Sequence, residues 1–103
     1  MTAKLFVERQ FDAAGTAVVC RFYIPEPQAT GEFRCNWTID WGEGDKKRSA
    51  HGIDGVQALL LAMKVAHTEL VESDSYKAGR LTYLEGPILD LPGPFNFDEP
   101  SQT

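Results

Sequence analysis

Between Glu32 and Trp41 the chain alternates without a break. Phe33, Cys35, Trp37, Ile39 and Trp41 point one way, and Glu32, Arg34, Asn36, Thr38 and Asp40 point the other. Side chains of a strand alternate between its two faces, so this run predicts a strand with one buried face. Residues 5–11 (LFVERQF) and 16–24 (TAVVCRFYI) predict two more strands, the second rich in β-branched and aromatic side chains. Asp12-Ala13-Ala14-Gly15 supplies the turn between them. Pro25-Glu26-Pro27 is expected to end the second strand, because proline cannot donate to a ladder. After a turn at Gly42-Glu43-Gly44-Asp45, a short fourth strand is expected over residues 46–50.

In a meander of these strands, the inward residues align as Phe22 with Phe33, Cys20 with Cys35 and Val18 with Trp37. Across the first hairpin the same logic places Val7 opposite Cys20 and Leu5 opposite Phe22, and turns Arg9 inward.

The period then changes to that of a helix. Asp54 is a good N-cap, and Gln57 three residues on completes a capping-box arrangement by reaching back to the Asp54 amide. Ile53 precedes the cap, where an apolar residue staples the chain entry. The helix is expected to run to about residue 72. At about 100° per residue, Val56, Leu59, Leu60, Met63 and Leu70 form one stripe, expected to face the sheet. Ala58, Leu61, Ala62 and Val65 fall on nearly the opposite side and form a second apolar face, the candidate interface. Its cover is either the chain's own segment 81–91 (LTYLEGPILDL) or a second protein molecule, a copy of this chain or another partner. These elements define an α+β domain: an antiparallel sheet of about four strands, one long helix across one face, and a C-terminal short strand or extended segment. Residues 1–91 are expected to form this single domain, and residues 92–103 a mobile tail.

The F/C-W-I strand, the G-I-D-G-V-Q-A-L-L-L-A helix start, the Leu/Tyr segment and the closing D-L-P occupy residues 33–39, 52–62, 81–84 and 90–92. Together they resemble a family of small bacterial domains of unknown function. The resemblance implies a bacterial origin and the same order of strands followed by a helix. It implies no activity and no functional residues.

Composition narrows the function mainly by exclusion. A chain of 103 residues with 43% hydrophobic and 24% charged residues has the balance of one globular domain. Its net charge of −5 repels phosphate backbones, so no nucleic-acid partner is expected. Lys46-Lys47-Arg48 projects to both faces of its strand and reads as a solvated edge. No apolar run is long enough to span a membrane, and no secretory leader is evident, so a cytoplasmic location is expected.

The chemistry-bearing residues are sparse. Cys20 and Cys35 lack the paired spacing of a metal site and sit among inward residues, which predicts free structural thiols. His67 reads as a helix-end side chain. The carboxylates of residues 40–45 depart from a calcium loop and read as turn chemistry. No catalytic residue, cofactor or metal is therefore expected. The leading expectation is a protein-interaction module without catalytic activity, with a homodimer as one form. Two alternatives stand beside it: a small-ligand binder using Phe22, Phe33, Trp37 and Trp41 between sheet and helix, and an immunity- or antitoxin-like partner of a basic protein.

Overall fold

The computed structural model describes residues 4–93. The expected tail beyond residue 93 lies outside the described residues. The elements run β1 (Leu5–Ala13), β2 (Thr16–Tyr23), β3 (Glu26–Pro27), β4 (Phe33–Asp40), β5 (Asp45–Gly52), α1 (Gly55–Val71), α2 (Asp74–Lys77) and β6 (Leu81–Thr82). All strand pairs are antiparallel, in one sheet with α1 packed on one face. The expected α+β architecture is the one found, and the C-terminal segment adds a short strand, β6, beside β1.

The registers differ from expectation for local reasons. β1 and β2 pair Val7 with Phe22, Arg9 with Cys20 and Phe11 with Val18, a slip of two residues. The hairpin turn is tighter than the four residues expected, since Ala13 pairs with Thr16 and only Ala14 and Gly15 lie between. Both take positive φ, 53° and 92°, as the two-residue turns that match strand twist require. β2 and β4 pair Cys20 with Ile39 and Phe22 with Trp37, so neither Cys20–Cys35 nor Phe22–Phe33 are opposed. Here Pro25 interrupts the ladder without ending it: Glu26 and Pro27 resume pairing with Arg34 and Phe33. The reversal waits until residues 28–31, closed by the Gln28 amide donating to the Glu32 carbonyl at 2.8 Å.

Asp54 caps α1 as expected, its carboxylate accepting from the Gln57 amide at 2.8 Å. The Gln57 side chain, however, accepts from the Ile53 amide at 2.8 Å, one residue before the expected partner. Ile53 itself is 75% exposed and staples nothing. Asp54→Ala is expected to cost about 1 kcal/mol, read as a lower urea midpoint at unchanged m-value.

The largest correction concerns which face of α1 is buried. Ala58, Ala62, Ala66 and Leu70, spaced by four, are fully buried, while Val56 and Leu60 are exposed. The buried stripe lies roughly a quarter turn from the predicted one, at about 100° per residue. Volume explains it. The facing sheet supplies Val18, Phe22, Trp37 and Ile39, all buried, and large side chains on one layer require small ones on the other at native packing density. Close approach is most acute at Gly52, where a Cβ would lie 2.5 Å from the Ala58 amide nitrogen.

Candidate functional site

The candidate interface residues do not form an open face. Ala58 and Ala62 are fully buried under the sheet-facing side of α1, and Leu61 and Val65 are half-buried and packed against the core. Segment 81–91 is placed by its contacts with β1. It covers the β1 end of the sheet, where Leu81 and Leu89 are buried and Tyr83 meets Phe11 edge-on at 5.7 Å. Arg9, inward as expected, is satisfied there: its guanidinium donates to the Leu89 and Asp90 carbonyls and lies 4.4 Å from the Tyr83 ring centroid.

Exposed apolar side chains lie at both ends of the sheet: Leu84 and Ile88 in segment 81–91, and a second group at the opposite end. Val56 is 68% exposed, and Leu60, one turn on, is 41% exposed. A Cβ at Gly55 would sit 3.6 Å from Pro25, and the Ile24 amide donates to the Lys4 carbonyl at 2.8 Å. The start of α1 is thereby linked through the end of β2 to the start of β1, where Leu5, Phe6 and Val7 are also exposed. β1 itself is half open. It pairs with β6 only at Asp12 and Ala13, so its outer edge from residue 5 to residue 11 has no strand partner among the described residues.

A second feature lies where the β4–β5 hairpin runs past the C-terminal half of α1. Alternation puts Lys46 and Arg48 on the helix side of β5, opposite Ile39 and Trp37. The Arg48 guanidinium lies 5.7 Å from the Trp37 ring centroid and forms a two-armed ion pair with Glu69 of α1, both contacts 3.0 Å. Together with Trp41 these side chains enclose a cleft of about 230 Å³. Glu43 and Gly44, from the hairpin turn, also line it. Trp37 is 1% exposed, and its indole Nε1 is buried with no hydrogen-bond partner. Thr38 Oγ1 and Arg34 Nε are also unpartnered, but neither residue lines this cleft. A wider hollow of about 560 Å³ between β1 and residues 82–85 is more open and contains no such orphaned group.

Of the aromatic set expected around a ligand, the structure brings Trp37 and Trp41 to the cleft. Phe22 is buried in the core, and Phe33 packs against the core near the start of α1. The cations Lys46 and Arg48 were missed as cleft residues, although the two-residue period already separates them from Lys47.

The remaining chemistry is structural. Cys20 and Cys35 are buried and free. Burial pushes the Cys20 thiol up to about 12, with the Glu69 carboxylate adding to the rise and Arg9 opposing it, and pushes Cys35 up to about 11. Both stay protonated and unreactive at neutral pH. Burial lowers the pKa of His67, which favours the neutral imidazole. The Asp40 carboxylate accepts from the Gly42 amide at 2.8 Å, which is turn chemistry. Among the described residues no group of three or more His, Cys, Asp or Glu is placed to hold a metal ion. None of the helices described is long and apolar enough to cross a membrane.

A family model described as Domain of unknown function (DUF6968) matches residues 7–93. No curated protein and no solved structure matches the chain.

Proposed function

The chain belongs to the DUF6968 family, a domain of unknown function, and from that premise we propose that it is a non-catalytic protein-interaction module that pairs with a second copy of itself. The observation that carries this reading is the open β1 edge flanked by exposed apolar side chains. A free edge presents a row of backbone donors and acceptors that complements the same row on another copy. The charges that commonly guard such an edge are otherwise engaged. Glu8 pairs with Arg21 at 3.1 Å, and Arg9 is held by the C-terminal segment. Antiparallel pairing about a two-fold axis normal to the sheet keeps both helices on one side and brings Val7 of one copy toward Val7 of the other.

The net charge of −5 disfavours nucleic acid, and the free buried thiols suit a reducing compartment such as the cytoplasm.

Light scattering across a concentration series tests the reading. The wild type is expected to be a dimer. Val7→Asp places two like charges at the pairing edge and is expected to weaken the dimer at least thirtyfold, about 2 kcal/mol, while the monomer stays folded by circular dichroism. A wild type that stays monomeric at every concentration rejects the reading, as does a Val7→Asp protein that remains a dimer.

A further inference from the structure

We propose that the hollow between β1 and residues 82–85 seats the start of β1 from a second copy, with Leu5 packing on Leu84 and Lys4 reaching Glu85. The inference rests on the β1 self-pairing above and adds a second, separable contact to it.

The position follows from the symmetry. Antiparallel pairing with Val7 opposite Val7 sets Leu5 of one copy across from Arg9 of the other, and Lys4 across from Gln10. Gln10 opens the hollow, which continues through Asp12, Thr82, Leu84 and Glu85. The incoming strand therefore ends just short of Asp12, where β6 takes over the edge.

The two surfaces also lie on the same face. Val18, Cys20 and Phe22 of β2 are buried on the helix side, so alternation turns Tyr23 to the open face of the sheet. Leu5 pairs with Tyr23 and shares that face, as do Gln10 and Asp12 through their partners Val19 and Ala17. A two-fold axis normal to the sheet keeps this face common to both copies.

The chemistry on the two sides is complementary. Leu84 is 82% exposed and Leu5 49% exposed, and each gives the other apolar cover. Leu84 and Glu85 hold positive φ, 54° and 67°, in a two-residue turn closed by hydrogen bonds between Tyr83 and Gly86 at 2.9 and 3.0 Å. Such positions favour glycine or asparagine, and here they present a large apolar side chain and a carboxylate instead. Among the described residues that line the hollow there are two carboxylates, Asp12 and Glu85, and no cation. Asp12 is partly engaged, accepting from the Gly15 amide at 3.1 Å, whereas Glu85 is exposed. Lys4, exposed next to Leu5, brings the matching charge. Its place at the start of β1 is fixed by its carbonyl, which accepts from the Ile24 amide at 2.8 Å.

The two-fold axis repeats each contact, so one substitution acts twice in the dimer. The test is the dimer Kd of the full chain and its variants, from light scattering across a concentration series, with circular dichroism reporting the fold. Leu84→Asn suits the left-handed backbone, so the monomer stays folded while the dimer Kd is expected to rise at least about tenfold. Lys4→Glu and Glu85→Lys are each expected to raise it at least about tenfold, and combined to return it to within about threefold of wild type, because the charges are exchanged rather than lost. Wild-type affinity in Leu84→Asn, or a combined variant no tighter than the single ones, overturns the inference. If Val7→Asp still weakens the dimer in that case, the edge pairing itself stands. A wild type that never dimerises overturns both.

Discussion

Gly52→Ala is expected to lower the unfolding free energy by about 3 kcal/mol and Tm by about 15 °C, read by chemical and thermal denaturation. The sign is informative, because a glycine-to-alanine change at a compatible position usually stabilises by restricting the unfolded chain, about 0.4–1 kcal/mol. Gly52 ends β5 beneath the first turn of α1, and its hypothetical Cβ meets the Ala58 amide nitrogen at 2.5 Å and the Gln57 carbonyl carbon at 2.9 Å. Two of the three nearest atoms are backbone, so no rotamer change makes room. The helix start must move away from the sheet, loosening the contacts of Ala58 and Ala62 behind it. Truncating Gln57 to alanine in the same protein should not restore stability, since the third contact is to its Cβ, which alanine retains.

Leu70→Ala is expected to cost about 3 kcal/mol by equilibrium denaturation, within the ~2–5 kcal/mol range for deleting a large aliphatic side chain from a packed core. Leu70 is the one large residue in the buried stripe of α1, and it is fully buried. Small residues at 58, 62 and 66 hold the helix close to the sheet, and the void left at 70 cannot be closed without tilting a helix already in contact along its length. Truncating Leu60, 41% exposed on the far flank, removes far less buried area and costs correspondingly little. If the larger penalty instead fell on Leu60, the helix would have to face the sheet as the projection of large side chains suggests.

Much of this architecture is legible in the residues themselves. The alternation of residues 32–41 and the Asp54 cap fix the existence and kind of β4 and α1, because each rests on a local periodicity or a local hydrogen bond. What the residues do not settle alone is how the layers meet. A projection that weights large apolar side chains prefers the leucines over the alanines, yet a sheet already filled by Trp37, Phe22 and Ile39 takes up the alanine stripe. Register fails for a similar reason. Reading Pro25 as a terminator moves the hairpin turn, whereas Glu26 and Pro27 resume the pairing and shift β2 against β4 by four residues. The cleft was half visible. Trp37 and Trp41 share the inward face of the alternating run, but the partnership of Arg48 with Glu69 joins residues 21 apart in sequence and depends on how α1 crosses β5.

The apolar end of the domain follows from that packing. Once the alanines turn inward, Val56 and Leu60 turn outward, at the end of the sheet where β1 carries the exposed Leu5, Phe6 and Val7. The surplus of apolar residues in the helix is real, but it is displaced to a different flank from the one its projection names.

Amide hydrogen exchange of residues 5–10, measured as a function of protein concentration, tests the central claim that this edge pairs with a second copy. The alternate amides that face away from β2 are expected to exchange rapidly in dilute solution and at least about tenfold more slowly once the dimer forms, with Val7→Asp restoring rapid exchange. Rates at those amides that stay rapid and independent of concentration, in a sample that light scattering shows to be dimeric, would place the interface elsewhere and contradict the account.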